Sequence, residues 1–196
     1  MKTPFNYLLV VFLILLSIQF AHAQAFAKYK KHEKYDNYFA KYSKRFFGPA
    51  FDWHVFKAQA IAESNLMPEA ESYVGAQGVM QIMPRTYQEI INKNQFITGA
   101  ATEPKSNIAA GIYYDKQKWD FWTAERTLEE RLKFMFASYN AGAGNVLKAQ
   151  KKSEQNGIQA STWEPVSESL KEVTGKHSTE TINYVEKIFI IHEDIN

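Results

Sequence analysis

Cysteine is absent from the 196-residue chain. That excludes disulfides, cysteine metal sites, a thiol nucleophile and a lipid anchor carried on cysteine. Charge of one sign is not in excess either: 23 Lys and Arg stand against 21 Asp and Glu, for a net charge of +2. Such a balance gives no electrostatic footprint for nucleic acid, and none is expected as a partner. Internal repeats, low-complexity tracts and Pro/Gly/Ser-rich linkers are missing, so one domain is the simplest organisation. Strand-like alternation of apolar and polar residues is scarce. What is present is helical periodicity and abundant aromatics, 15% of residues, which together argue for a folded, mainly α domain rather than a disordered chain.

The one long apolar run is Leu8 to Phe20, preceded by Lys2 and followed by Ala21-His22-Ala23. A short basic start, an apolar stretch and an A-x-A site make residues 1–23 a signal peptide cleaved after Ala23. An uncleaved anchor is the alternative, but the run is shorter than the roughly 20 residues a spanning helix needs, and Ser17 and Gln19 interrupt it. The expectation is therefore an exported protein, periplasmic or secreted. Residues 24–34, with Lys28-Tyr29-Lys30-Lys31-His32, read as a basic, solvated and mobile arm. Residues 35–196 then form the domain, held together by its core alone.

Within it, Asp52 to Ser64 reads as a helix with Asp52 as N-cap and few polar positions. At about 100° per residue, Phe56, Ala60 and Glu63 share one face, so Glu63 points where apolar residues point. Pro84 to about Lys93 forms a short helix with proline in its first turn. Asn107 is the expected N-cap of a helix bearing Ile108, Gly111 and Ile112. Thr127 and Glu130 have capping-box spacing, and Leu128, Leu132, Met135, Phe136 and Tyr139 follow as an apolar stripe. A last helix from about Thr179 to His192 buries Ile182, Val185, Ile188 and Phe189. Gln150 to Lys176 is polar and reads as loops or short helices.

Three separate stretches join a helix end to polar or aromatic groups: Glu63-Ser64 with the loop to Pro84, Ser138-Tyr139-Asn140-Ala141-Gly142, and Glu180-Thr181 with Tyr184-Val185. Taken singly each has an ordinary explanation: a solvated glutamate, a helix stop, a packing tyrosine. In this order and spacing, with Gly75-Ala76-Gln77-Gly78-Val79-Met80-Gln81-Ile82-Met83-Pro84 and Asn107-Ile108 with Gly111, they resemble the catalytic domain of soluble lytic transglycosylases. These are peptidoglycan-cleaving enzymes with a goose-type lysozyme-like helical fold. The resemblance runs from about Tyr35 to Ile191. Around Asp52-Trp53 it looks most like the catalytic part of membrane-bound F-type enzymes, although no separate solute-binding domain precedes it. The alanine that usually leads the Tyr-Asn-Ala-Gly element is Ser138 here.

The resemblance implies a single lysozyme-like helical domain over 35–196, acting as a monomer without cofactor or metal on peptidoglycan glycan strands. Glu63 would be the catalytic acid. Ser72, Met80, Gln81 and Met83 would line the sugar cleft, Tyr139 and Asn140 would flank the carboxyl, and Tyr184 would hold it from the last helix. The reaction implied cleaves the MurNAc-GlcNAc β-1,4 bond without water: the C6 hydroxyl of N-acetylmuramic acid closes a 1,6-anhydro ring, and its acetamido group steadies the charge at C1.

The chemistry gives the position of Glu63 a reason. A leaving oxygen needs a proton, and a free glutamate with a pKa of about 4.3 has lost its own at neutral pH. Burial on an apolar face disfavours the charged form. Most glycosidases need a second carboxyl. Glu69 and Glu71 lie nearby in sequence, but in a polar loop where solvent is the expected neighbour. Gly75 and Gly78 permit tight turns and close approach of a glycan, and the Gln81 amide suits N-acetyl or hydroxyl groups. Trp53, Trp119, Trp122 and Trp163 are core or rim residues by default, with sugar stacking the alternative. His22 leaves with the signal peptide, and His32, His54, His177 and His192 show no zinc spacing. Two other readings stay open: a goose-type hydrolase, and a glycan-binding scaffold or local wall-opening enzyme within an envelope secretion or motility apparatus.

Overall fold

A computed structural model of the chain describes residues 33 and 35–196; the expected signal peptide and the Lys28–His32 cluster lie outside the described residues. Among the described residues eight helices follow one another: α1 Asp36–Phe46, α2 His54–Ser64, α3 Pro84–Lys93, α4 Pro104–Phe121, α5 Leu128–Ala141, α6 Ala143–Gln155, α7 Trp163–Thr174 and α8 His177–Ile195. Among the described residues the only β pairing is two isolated bridges in the loop after α2, Glu71 to Gln77 and Gln77 to Ile82. The domain is all-helical, as its periodicity implies.

Helix α2 is the hub. Val55 to Ile61 are all buried, and the helix packs along α8 and against α1. A helix so enclosed must neutralise any charge it carries inward: Lys57 reaches Asp36 of α1 at 2.7 Å with its side chain only 8% exposed. Helix α5 packs between α4 and α8, and α6 pairs with α7. Phe39, Phe56, Phe134, Phe136, Ile108, Ile112, Leu170 and Ile188 fill the space between them. This apolar packing stands in for the disulfides the chain cannot form.

The helix ends decide where the polar groups emerge. Helix α2 stops because Asn65 and Leu66 turn left-handed, at φ 55° and 61°, a conformation that an L-residue cannot propagate as helix. Helix α3 starts on Pro84, whose missing N–H lies at a position with no intrahelical partner. Thr127 caps α5 by accepting from the Glu130 N–H at 3.2 Å. The Glu130 carboxylate does not return to close a capping box; it bonds Lys133 and the Trp163 N–H instead.

Several expectations are corrected. Helix α2 begins at His54 rather than at Asp52, although the Asp52 carboxylate still accepts the His54 N–H at 3.0 Å. Asn107 lies inside α4, which starts three residues earlier on Pro104. Leu128 is 62% exposed and leads the apolar stripe without joining the core. The polar segment 150–176 holds the end of α6 and all of α7, whose Trp163, Val166 and Leu170 are buried. Helix α1 was not read from the sequence; Phe39, Tyr42 and Ser43 form its buried side.

Gly111 shows how tightly the loop after α2 is seated on α4. A Cβ there would lie 2.7 Å from Met80 Cβ and Cγ, atoms too near the backbone to swing away. Gly111→Ala is expected to cost about 1–3 kcal/mol by overpacking, measured by urea unfolding.

Candidate active site

Three chain segments converge on Glu63. The carboxyl extends from the last turn of α2, and Tyr184 of α8 donates its hydroxyl to Glu63 Oε1 at 2.6 Å. Ser64, next in sequence, donates to the Val79 carbonyl at 2.8 Å and so ties the end of α2 to the loop. From α5, Tyr139 donates to the Met80 carbonyl at 2.7 Å, and Asn140 Oδ1 accepts from Thr181 of α8 at 2.6 Å. Each of these bonds joins parts of the chain far apart in sequence.

The loop between Asn65 and Met83 is held by side chains rather than by a sheet. Asn107 performs the work of several backbone partners: its Oδ1 accepts the Met80 N–H at 2.6 Å, and its Nδ2 donates to the Gln77 and Ala101 carbonyls at 2.9 and 2.6 Å. That is why an asparagine sits inside a helix. Gly78 lies beside it at φ 78°, where a Cβ would meet Asn107 Nδ2 at 2.5 Å. Glycine is required at that position twice over, by conformation and by space. Gln81, itself left-handed at φ 46°, donates to the Ala70 and Gly78 carbonyls at 3.0 and 2.9 Å.

Glu63 is partly exposed at its surface yet enclosed by protein on most sides. Burial raises its pKa to about 7, against the pull of the Tyr184 hydroxyl and Lys187 and with a small push from Glu180. Tyr184 and Tyr139 are driven well above the ordinary phenol range by burial and by the neighbouring Glu63, so both remain neutral donors. Because the Tyr184 bond favours the ionised carboxylate, Tyr184→Phe is expected to move the Glu63 titration further up. A carboxyl 13C NMR titration, with Glu63→Gln for assignment, measures that shift.

The remaining predicted residues fall as follows. Ser72 turns its hydroxyl to the Ala76 N–H at 2.9 Å, closing the turn that contains Gly75. Met80 is fully buried against Gly111, whereas Met83 is 41% exposed at the start of α3. With both amide hydrogens of Gln81 engaged inside the loop, its carbonyl is the group left for a ligand. Glu69 and Glu71 are exposed, as expected. Trp122 and Trp163 are buried, and Trp53 and Trp119 are partly buried against the core. Among the described residues no group of three or more His, Asp or Glu is arranged to hold a metal ion.

A concavity of about 410 Å³ adjoins the site, lined by Asn140, Asn145, Thr174, His177, Glu180 and Thr181 among others. Behind the site, Gln59 Nε2 donates to the Tyr184 hydroxyl at 3.1 Å and to Asp115 Oδ1 at 3.3 Å. Neither Gln59 nor Asp115 was singled out from the sequence. A glutamine within an otherwise apolar helix, on the turn below Glu63, was the signal that could have found the first.

The far ends of α2 and α8 are also joined. Asp52 holds His54 at 2.6 Å and His192 at 2.7 Å. Burial opposes its ionisation, but the His54 N–H and the two imidazoles outweigh burial and keep the Asp52 carboxyl below its ordinary range. The helices bearing Glu63 and Tyr184 are therefore tied at both ends.

A family model described as "Transglycosylase SLT domain" matches residues 37–162. That span contains Glu63, the loop, Tyr139 and Asn140, while Tyr184 lies beyond it. The chain is 28% identical over 157 residues to "Membrane-bound lytic murein transglycosylase F" of Desulfosudis oleivorans, covering 73% of this chain and 33% of that protein. With the protein of the same name from Photobacterium profundum it shares 26% identity over 176 residues, covering 84% and 32%. The chain thus spans about a third of the length of the curated relatives it matches. The crystal structure of the 70 kDa soluble lytic transglycosylase from Escherichia coli superposes with a TM-score of 0.65 at 25% identity, covering 83% of this chain and 24% of that one.

Proposed function

Since the chain belongs to the transglycosylase SLT domain family, we propose that it is a peptidoglycan lytic transglycosylase in which Glu63 is both acid and base. The observation that carries this reading is the Glu63 carboxyl, enclosed but reached by solvent, with a pKa near 7 and held by a tyrosine from another helix. A group of that pKa gives up and takes back a proton at neutral pH with equal ease.

In the first half of the reaction Glu63 protonates the O4 oxygen leaving C1 of N-acetylmuramic acid, while the sugar's acetamido group steadies the charge at C1. In the second half the Glu63 carboxylate removes the proton of the C6 hydroxyl as O6 bonds to C1. The C1–O4 bond is exchanged for a C1–O6 bond, Glu63 ends protonated as it began, and no water enters. The Tyr184 hydroxyl supports the carboxylate between the two steps. Met83, the Gln81 carbonyl, Tyr139 and Asn140 are assigned to the glycan cleft, with Ser72 and Met80 shaping its loop. Action on the cell wall after export, in the periplasm or outside the cell, follows from the substrate and from the apolar N-terminal run.

A hydrolase of the same fold needs a carboxylate to activate water, and Glu180 is the candidate, exposed at the adjoining concavity and close enough to influence Glu63. Mass spectrometry of muropeptides released from purified sacculi separates the two. Products one water lighter than hydrolytic ones are expected; reducing-end products assign the hydrolase reading and Glu180 as its second carboxyl.

A further inference from the structure

Asp115 of α4 is fully buried, and its Oδ2 has no hydrogen-bond partner. Its other oxygen accepts from Gln59 Nε2 at 3.3 Å, and the same nitrogen donates to the Tyr184 hydroxyl at 3.1 Å. Gln59 is likewise fully buried, with Oε1 unpaired. The side chains thus form the chain Asp115–Gln59–Tyr184–Glu63, which leaves two buried polar atoms, Asp115 Oδ2 and Gln59 Oε1, unmatched. An unmatched buried carboxyl of this kind is unfavourable for stability, so its benefit has to be sought elsewhere.

An amide can present either its oxygen or its nitrogen to a neighbour. With an acceptor at Asp115 Oδ1, Gln59 turns its nitrogen toward α4 and the same nitrogen meets the Tyr184 oxygen. Tyr184 then has its single hydrogen free for Glu63 Oε1. A protonated Glu63 that accepts at Oε1 must carry its own hydrogen on Oε2, the oxygen Tyr184 does not engage. With the amide reversed, Tyr184 would donate to Gln59, and Glu63 would turn its hydrogen inward to Tyr184.

We propose that Asp115 is a positioning residue for the reaction: by accepting from Gln59 it fixes the direction of this chain, so that the acidic hydrogen of Glu63 is left on Oε2. The proposal rests on the reading of Glu63 as the acid. It gives a second carboxyl a part in the reaction without contact with the substrate. Burial drives Asp115 well above the usual carboxylate range, against its bond from Gln59, so it is neutral: its own hydrogen sits on Oδ2, and Oδ1, which receives the Gln59 amide, is its accepting oxygen. The other groups facing Glu63 are Tyr184, Lys187 and Glu180 from α8 and Tyr139 from α5; Lys118 of α4 acts on Asp115 itself.

The test follows Glu63 by carboxyl 13C NMR in the intact domain and, in parallel, kcat and KM on purified glycan strands. Asp115→Leu frees the Gln59 amide and weakens the bond from Tyr184 that favours ionised Glu63. Its Glu63 titration is expected to rise by roughly one unit, and kcat to fall about tenfold or more at little change in KM. Melting temperature should hold or increase, because an unmatched buried carboxyl has been removed. In a Gln59→Leu background, Asp115→Leu should add no further shift, since the link it acts through is gone. Should Asp115→Leu fail to fold, Asp115→Asn carries the test with a smaller upward shift, because its amide keeps an accepting oxygen for Gln59 but can also turn its donor side to it. An unmoved titration would overturn the proposal in favour of packing, and a downward one in favour of a charge at Asp115. The titration is read without substrate, so it decides the proposal even if wild-type protein cleaves no glycan and the proposed activity fails.

Discussion

Glu63→Gln is expected to reduce muropeptide release from purified sacculi by roughly a hundred- to ten-thousandfold while the domain stays folded. The glutamine keeps the size of the side chain and an oxygen to accept from Tyr184, whose hydroxyl lies 2.6 Å from Glu63 Oε1 in the native site. What it lacks is a transferable proton, required both for departure of the O4 oxygen and, as its conjugate base, for the C6 hydroxyl. With both halves of the reaction passing through one group, its loss stops both at once. Near wild-type release by a folded Glu63→Gln protein would remove Glu63 from the role of acid.

The same substitution is expected to stabilise the protein at neutral and higher pH. Below pH 4.5, the ordinary value of its carboxyl, Glu63 is protonated in both folded and unfolded chains, and its effect on folding is small. Between there and about 7 the unfolded chain ionises while the folded one keeps its proton. The folded state then binds more protons, so stability falls as pH rises through this window and the loss is complete above it. The largest loss consistent with this shift is about 3 kcal/mol, reduced in proportion to the part of Glu63 that solvent reaches. Glu63→Gln removes the dependence, so its advantage in melting temperature should be negligible at acid pH and greatest at alkaline pH. A constant difference across the range would show that Glu63 ionises in the folded protein at an ordinary pH.

Both effects stem from a local conflict that was partly legible in the sequence. Phe56, Ala60 and Glu63 fall on one helical face, and the structure buries the first two completely. The periodicity of α2, α5 and α8 therefore carried the fold, and a glutamate continuing an apolar face carried the site. Asn107 was misread because asparagine before a helical run ordinarily caps it. Here Pro104 starts the helix and the side chain is committed to a loop thirty residues earlier in the chain, bonding Gln77, a tertiary use that no local pattern reveals. Asp115 escaped notice for a similar reason: in α4 it lies among tyrosines and lysines, a context that reads as a solvated face, and only the packing of α1 and α5 along α4, with Gln59 reaching across from α2, makes it buried. Helix α7 was obscured by the polar residues that cover its outer side.

The most direct measurement is digestion of purified sacculi by the protein in oxygen-18 water, followed by mass spectrometry of the released muropeptides. If one enclosed glutamate serves as acid and base and the sugar supplies its own nucleophile, the products end in 1,6-anhydro rings and carry no oxygen-18. Heavy oxygen at the newly formed C1 ends would show that water is the nucleophile, and would contradict the mechanism at its centre.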